Sequence, residues 1–210
     1  MRSKRLLNDY PVKTEGVLCE SRTLSIGWPE PHEFDMITAL RNKPEVRQCF
    51  LSDGKLNLDA NRVWLETGMD RPKEALLSIR LKIDDSFLGT IGWTDWDPRQ
   101  ATASFGRLAL DTVGLRKASC QLPHGYRGVA LDAVSTLRDF AFRSMRLERL
   151  VTYFFAGNIT AERVNRRVGM LYTSRGTRFR ADNTPVETVE MFMDRRAWLR
   201  LQEEIEDLVR

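Results

Sequence analysis

The 210-residue sequence contains only two histidines and three cysteines. The cysteines (Cys19, Cys49 and Cys120) are odd in number and far apart, which argues against a disulfide framework and against a CxxC metal site. With so few histidines, the chain offers no ligand cluster for a metal ion and no evident partner for a cysteine nucleophile. We therefore expect no metal, no thiol catalysis and a reducing, cytoplasmic environment.

Long apolar segments are also missing. No run approaches the roughly 18 apolar residues of a membrane span, so no membrane partner is expected. The amino terminus, MRSKRLLNDYPVK, is basic but has neither an apolar core nor a small-residue cleavage site, which is not typical of a secretory signal. Both absences favour a cytoplasmic globular protein.

Charge of one sign does not dominate. The chain has 33 basic and 29 acidic residues, a net charge of +4 and a pI near 9.1. Because the two signs are interleaved and no RNA-binding or zinc-finger pattern occurs, nucleic acid is not the expected partner. The densest basic cluster, Arg163 with Arg166 and Arg167, fits a solvated helix face, and an anionic small ligand is the alternative.

Strand and helix patterns alternate along most of the chain. A strand and two helices come first, then three strands separated by turn residues (ALLSIRLKI, FLGTIGWTDW and ATASFGRLAL). A long helix over 128–145, a strand, a short helix capped by Asn158, a strand at ETVEMFMD and a last helix follow. This order predicts an α/β fold with a mixed, mostly antiparallel central sheet flanked by helices.

Neither a linker nor an internal repeat divides the sequence. We therefore predict one domain over residues 1–210. Within it, residues 1–16 form an amino-terminal extension and residues 194–210 form a carboxy-terminal amphipathic helix.

The stretch GYRGVA, residues 125–130, lies immediately before the long predicted helix. The first turn of a helix has about four backbone N–H groups without partners and a partial positive charge. Glycine lets a ligand approach these groups closely, and Arg127 adds a cation, so a phosphate or pyrophosphate is a candidate ligand. A tight turn without a ligand is the alternative, since neither the dinucleotide fingerprint nor a Walker loop matches.

Two motifs at a suitable separation resemble the GNAT N-acetyltransferase family. Gly128 and Ala130 match the glycine positions of that family's phosphate loop, Q/R-x-x-G-x-G/A, and Ala141-Phe142 matches the end of its helix. Residues 158–170, NITAERVNRRVGM, are similar to its N-x-x-A-x-x-x-Y-x-x-x-G-F motif. With the strand-turn-strand segment FLGTIGWTDWDPRQATASFGRLAL, the resemblance covers about residues 17–198.

This resemblance implies direct transfer of an acyl group from acetyl-CoA to an amine, without a covalent enzyme intermediate. The pantetheine arm is expected to add to the strand end at 108–110 as a further strand would, where backbone N–H groups polarise the thioester carbonyl. The implied cofactor-binding residues are Leu108, Ala109, Leu110, Gly125, Tyr126, Arg127, Gly128, Val129, Ala130, Asn158 and Ala161.

The sequence departs from the family pattern at three places. Gly125 stands where the family has Gln or Arg, and we expect Arg127 to supply the missing polarity. Fourteen residues, DTVGLRKASCQLPH, separate the preceding strand from Gly125 and are expected to shape the acceptor site. Asn165 replaces the family's tyrosine, a proposed acid for the departing thiolate, although an amide hydrogen-bonds to sulfur without giving up a proton.

The predicted catalytic residues are Asn165 and two candidate bases. An alkyl amine with a pKa near 10 is mostly protonated at neutral pH, so a general base would help. Asp111, at the strand end nearest the expected thioester, and His124 are the candidates, with Glu187 and Glu190 as further ones. A turn role for Asp111 and a solvent-exposed position for His124 are the alternatives.

The expected acceptor is a small-molecule amine. Family members that acetylate amino sugars, including nucleotide-linked ones, and members that acetylate ribosomal proteins share the overall pattern. The segment 41–66 resembles the helix-loop-helix of the sugar group, which favours Arg47 and Phe50 as substrate contacts. Trp93 and Trp96 are further candidates because an aromatic face stacks on a sugar or base, with a packed turn as the alternative.

Two other interpretations stay open at this point. A protein N-terminal acetyltransferase is the first, and a non-catalytic acyl-CoA-binding protein is the second, favoured by the departures at Gly125 and Asn165. The sequence also leaves open whether the protein forms a homodimer.

Overall fold

A computed structural model of the chain describes residues 16–52, 54–122, 126 and 128–209. At its centre are eight strands: β1 (Val17–Glu20), β2 (Leu24–Gly27), β3 (Ala75–Leu81), β4 (Phe87–Asp97), β5 (Thr102–Leu110), β6 (Arg149–Phe155), β7 (Leu171–Phe179) and β8 (Pro185–Asp194). They form one sheet in the order β1-β2-β3-β4-β5-β6-β8-β7. Neighbouring strands are antiparallel except β5 and β6, which are parallel.

Helices cover both faces of this sheet. They are α1 (Phe34–Asn42), α2 (Pro44–Arg47), α3 (Leu58–Glu66), α4 (Thr112–Ala118), α5 (Val129–Arg143), α6 (Ile159–Arg167) and α7 (Arg195–Val209). Parallel β5 and β6 require a crossover connection, and α5 supplies it. None of the helices in the described ranges combines the length and the apolarity that a membrane crossing requires.

The predicted α/β fold with a mixed, mostly antiparallel sheet is confirmed. The three-strand meander, the long helix and the final helix occur where the periodicity placed them. Three elements differ from the prediction. The predicted first strand is a hairpin of β1 and β2, the fourteen-residue insertion contains α4, and the sequence pattern predicts no strand at β7.

Alternation along β3 shows how the sheet separates two layers of helices. Leu77 and Ile79 belong to the main core, which α5 closes with Ala133 and Leu137. The intervening Leu76 belongs to a second cluster, in which α1 and α3 pack on the opposite face. Successive side chains of a strand point to opposite faces, so every residue of β3 is buried.

The sheet opens between its two parallel strands. β5 and β6 pair only over Thr102–Phe105 and Arg149–Thr152, and the following residues of each strand pair with the other neighbour alone. A β-bulge lies at this point in β5, because Thr90 pairs with Ala109 and Gly92 pairs with Gly106. Arg107, inside the bulge, has a φ of 56°. The two strands therefore diverge and leave a gap in the middle of the sheet.

Candidate active site

A cavity of about 690 Å³ occupies the gap between β5 and β6. Residues of the two strands form its walls, the first turns of α6 close one side, and side chains of α1 and α3 cover the other. Its polar and aromatic lining includes Arg41, Phe50, Trp64, Arg107, Tyr153, Asn158, Asn165 and Arg178. The volume falls within the range of small-molecule sites, about 300–1,000 Å³.

Gly128 immediately precedes α5. Its φ of 108° is a conformation that favours glycine, and a β-carbon there would meet no atom of the described residues within 4 Å. Val129 and Ala130 form the first helical residues. The predicted loop residues His124, Gly125 and Arg127 lie outside the described residues.

Tyr126 is hydrogen-bonded to α5. Its hydroxyl donates a hydrogen bond to Asp132 Oδ2 at 2.8 Å, and the same oxygen accepts one from Ser21 Oγ at 2.8 Å. Burial, together with the bond to Asp132, raises the pKa of Tyr126, so the phenol keeps its proton. The Tyr126 hydroxyl is therefore held by Asp132 of α5, and Tyr126 is absent from the cavity lining.

Asn158 and Asn165 meet the cavity from α6. Asn158 Oδ1 accepts a hydrogen bond from the Ala161 backbone N–H at 3.0 Å, which confirms the predicted helix cap. No residue in the described ranges accepts a hydrogen bond from the Asn158 amide nitrogen. Asn165 Nδ2 donates to the Ala161 carbonyl oxygen at 2.9 Å. All three residues line the cavity, so α6 offers amide groups to a ligand.

The backbone at residues 106–110 lies along the gap. Leu108 lines the cavity, whereas the Ala109 side chain packs with α1 and α3 and Leu110 packs against the main core. Because β6 has diverged, this segment has no strand partner on that side within the described part of the chain. It is therefore suited to pair with an extended ligand, as an added strand would.

Asp111 has a structural role in this fold. It caps α4 by accepting a hydrogen bond from the Gly114 N–H at 2.9 Å, and it accepts another from Lys43 Nζ at 2.8 Å. Burial alone would raise the pKa of Asp111, but these bonds outweigh burial and lower it. Asp111 does not reach the cavity lining, so the structure favours the turn role over the base role.

The helix-loop-helix segment, residues 41–66, covers the cavity as predicted. The arginine that it contributes to the lining is Arg41 and not the predicted Arg47. Phe50, a predicted substrate contact, lines the cavity, and so does Trp64, a residue for which the sequence favours core packing. Arg47 does not line it, because it lies in α2, beyond the end of α1. Arg41, in the last turn of α1, lines the cavity in its place.

The prediction that Trp93 and Trp96 stack on substrate is wrong. Their exposed fractions are 0% and 9%, and both belong to the main core. Trp93 stacks instead on Phe105, with 6.4 Å between ring centroids. A central strand such as β4 is covered on both faces, so its aromatic residues are used for packing.

No evident base faces the cavity in the described ranges. The lining there contains three arginines, Arg41, Arg107 and Arg178, but no Asp, Glu or His. Glu187 is exposed and pairs with Arg175 at 3.2 Å, outside the lining. Glu190 interacts with Tyr153, whose phenol does line the cavity.

The cysteines differ in their surroundings, since Cys49 is exposed and lines the cavity, whereas Cys19 lies away from it. Burial, and then the charge of Asp139, raises the pKa of Cys19 to about 12, so its thiol stays protonated. Among the residues that the structure describes, no group of three His, Cys, Asp or Glu side chains is placed to hold a metal ion.

Sequence reasoning missed Arg41, Arg107 and Tyr153. Nothing local distinguishes Arg41 from Arg47, since both end short helical segments in the same basic stretch. Arg107 and Tyr153 belong to strand patterns that predict burial, and only the divergence of β5 from β6 turns them toward a cavity. One available signal was the pair of arginine and glycine in SFGRLAL, which is unusual inside a buried strand.

Comparison with known proteins agrees with the geometry. The family described as "Acetyltransferase (GNAT) domain" matches residues 24–171. We found no significant sequence match among curated proteins.

Solved structures share the fold at low sequence identity. A GNAT-family acetyltransferase from Bacillus anthracis has a TM-score of 0.70 and 14% identity, with 85% of this chain and 98% of that chain covered. Spermidine N-acetyltransferase from Vibrio cholerae, in complex with CoA and spermine, has a TM-score of 0.70 and 13% identity, with coverage of 85% and 99%. A nucleotide-linked sugar GNAT has a TM-score of 0.69 and 14% identity, with coverage of 92% and 98%.

The chain therefore belongs to the GNAT acetyltransferase family. It is an acyltransferase that uses acetyl-CoA and acts on an amine. Its own residues fit that donor. The backbone of residues 106–110 has no strand partner beside the gap in the described part of the chain. A β-carbon at Gly128 would meet no described atom within 4 Å, and the Asn158 amide nitrogen has no described acceptor.

Proposed function

We propose that the protein transfers the acetyl group of acetyl-CoA to the primary amine of a small molecule, an amino sugar or a nucleotide-linked amino sugar. The observation that supports this most is the cavity of about 690 Å³, covered by α1 and α3 on the side away from α5. A covered cavity of this size suits a small acceptor. A solved relative of the same fold is a nucleotide-linked sugar GNAT.

When bound, acetyl-CoA supplies the acetyl group as a reactive thioester. The backbone of residues 106–110 would hold the extended donor and offer N–H groups to a carbonyl oxygen. The start of α5 at Gly128 would bind the anionic end, with helix N–H groups as donors. Asn158 would add its side-chain amide from α6. Together these groups orient donor and acceptor for direct attack.

The acceptor amine must lose its proton before it attacks. Arg41, Arg107 and Arg178 surround the cavity with positive charge. A nearby like charge disfavours a charged amine and so lowers its pKa. We propose that the charge of Arg178, rather than a carboxylate base, raises the fraction of neutral amine, with solvent taking the proton.

The departing sulfur must gain a proton. Asn165 would hydrogen-bond to it from α6 but has no proton to give. Tyr153 lines the same cavity, and Arg178 lies over its ring at 3.7 Å. Burial and the charge of Glu190 raise the pKa of Tyr153 more than Arg178 lowers it, so its phenol carries a proton. We assign Tyr153 as the proton donor in place of the family's tyrosine.

A thiol-release assay with acetyl-CoA tests the proposal. Glucosamine, a nucleotide-linked amino sugar and short peptides are offered as acceptors, and we expect release with the sugars. Gly128→Glu should abolish acetyl-CoA binding, because it places a carboxylate where the helix start is open. Gly176→Glu is the matched control, because a β-carbon at Gly176 would also meet no atom within 4 Å and the residue lies on the exposed strand β7.

Two results would contradict the proposal. Calorimetry could show no binding of acetyl-CoA to the wild type. Alternatively, peptides could be acetylated while every amino sugar is left unmodified.

A further inference from the structure

The cavity has a cationic half on the side of α1 and α3. Arg41 from α1 and Arg107 from β5 both line it, and no Asp or Glu occurs among the lining residues in the described ranges. This half lies on the sheet face that packs with α1 and α3, whereas α5 and its open start belong to the opposite face. The two arginines are therefore separate from the groups that would bind the anionic end of acetyl-CoA.

Arg41 has no carboxylate partner among the described residues. Its guanidinium lies over the Phe50 ring, 3.3 Å from the centroid, and no ion pair or hydrogen bond to a described residue accompanies this contact. Burial, and then the charge of Arg107, lowers the pKa of Arg41 to about 10, so it remains a cation at neutral pH. A partly buried cation without an anion is costly, and an anionic ligand would remove that cost.

Phe50 orients the Arg41 guanidinium without using its donors. A guanidinium stacked on an aromatic ring keeps its N–H groups in its own plane, where they are free to bind an oxyanion through two parallel hydrogen bonds. Phe50 lines the cavity beside Arg41. The guanidinium and the ring that supports it therefore both border the cavity, and no described residue accepts a hydrogen bond from Arg41.

Arg107 adds a second cation whose charge is only partly neutralised. It forms an ion pair with Glu74, but the same carboxylate also pairs with Arg71 at 3.1 Å. Trp64 lies beside both guanidiniums, with Arg71 at 3.9 Å and Arg107 at 5.3 Å from its ring. One carboxylate therefore pairs with two guanidiniums, and the charge of Arg107 still acts on Arg41, whose pKa it lowers.

We propose that Arg41 and Arg107 bind a phosphate or carboxylate of the acceptor and make the enzyme selective for amines that carry such a group. This inference rests on the proposed function. It also sets the protein apart from polyamine acetylation, because a polyamine is a chain of cations and this half of the cavity is itself cationic.

The test compares acceptors that differ in one group. Glucosamine, glucosamine 6-phosphate, glucosaminate and spermidine are acetylated with wild type, Arg41→Gln and Arg41→Lys, and kcat/KM is measured. The wild type should prefer one or both anionic amines over glucosamine by about 10- to 100-fold, the range of a charge-assisted bidentate contact. The phosphate and carboxylate acceptors show which anion is bound.

Arg41→Gln should abolish this preference while the KM for acetyl-CoA is unchanged. Arg41→Lys should retain part of it, because lysine keeps the charge but lacks the planar fork. Arg62→Gln is the matched control, since Arg62 is an exposed arginine on α3 that pairs with Asp35 outside the cavity. It should behave as the wild type.

A binding measurement tests anion recognition even if the amine of a chosen acceptor is badly positioned for acetyl transfer. Glucose 6-phosphate and gluconate, which lack the amine, are titrated into the enzyme with CoA, and Arg41→Gln should weaken binding about 10- to 100-fold. Equal binding by wild type and Arg41→Gln, or a wild-type preference for glucosamine or spermidine, would overturn the inference. If neutral and anionic amino sugars were acetylated equally well, this inference would be wrong but the proposed function would remain. If acetyl-CoA were bound and no amino sugar were acetylated, the proposed function itself would be contradicted.

Discussion

Two partly or fully buried arginines on the same face of the sheet have opposite surroundings. Arg80, 2% exposed, donates to Glu33 at 2.8 Å from Nε and at 2.6 Å from Nη2, and its Nη2 also donates to the Trp28 carbonyl at 2.9 Å. Ser78 adds a further bond to Glu33 at 2.8 Å. Arg41 is stacked on Phe50 and has no carboxylate among the described residues.

This contrast distinguishes a structural cation from a binding cation. At Arg80 the protein supplies a buried carboxylate partner, Glu33, so the charge is compensated within the fold and removing that partner harms the fold. At Arg41 the described part of the chain supplies an aromatic support and a cavity but no anion. The missing partner is therefore expected to come from the substrate.

Removing the carboxylate partner of Arg80 should change the free energy of unfolding more than any other substitution considered below. Glu33→Gln leaves the Arg80 guanidinium buried without its carboxylate, which should reduce the free energy of unfolding by about 3–5 kcal/mol. Urea denaturation measures this change. Asp35→Asn is the control, because it breaks an exposed ion pair with Arg62 and should leave stability nearly unchanged. A loss at Glu33 as small as that at Asp35 would mean that the buried pair is not structural.

A second substitution makes the surroundings of Arg41 resemble those of Arg80. Phe50→Glu puts a carboxylate where the aromatic ring now lies 3.3 Å from the guanidinium carbon. The internal anion should compete with the acceptor and lower kcat/KM for the preferred anionic amine by about 10- to 100-fold. Phe50→Leu, which removes the ring without adding charge, should have a smaller effect, about the 0.5–2 kcal/mol of a cation–π contact. Equal effects of the two variants would refute the electrostatic explanation.

The smallest effect concerns a third cation, Lys43, which is paired but partly exposed. Asp111→Asn removes the ion pair with Lys43 but keeps a good cap for α4, because Asn caps a helix about as well as Asp, and it should cost about 0.5–1 kcal/mol at pH 7. Because the pKa of Asp111 is lowered by folding, its contribution is complete above the unfolded pKa, about 3.9, and is lost as the pH falls through the folded value. Unfolding at pH 7 and pH 2 should therefore show a difference between wild type and variant only at pH 7. A difference that persists at pH 2 would assign the loss to packing instead.

Elements with strong periodicity were predictable from the sequence. The apolar strands β3 to β5 and the helices α5 and α7 have patterns that burial enforces. β7 was missed because it is an edge strand whose residues are mostly exposed and polar, so no apolar alternation marks it. The cap at Asn158 was found because an N-cap is a local signal that does not depend on tertiary structure.

The candidate site was predictable only in part. Motifs identified the start of α5 and the asparagines of α6, which are continuous in sequence. The acceptor side is formed by α1, α3 and a bulge in β5, which meet only in three dimensions. Trp93 illustrates the difficulty, because an aromatic residue in a strand looks the same whether the core or a ligand covers it.

One competition experiment shows whether the enzyme selects anionic amines. Wild-type enzyme is given acetyl-CoA and equal concentrations of glucosamine, glucosamine 6-phosphate, glucosaminate and spermidine, and the acetylated products are quantified by mass spectrometry. Because the initial product ratio equals the ratio of kcat/KM values, the account predicts that an anionic amine is the main product. N-acetylspermidine or N-acetylglucosamine as the main product would contradict it.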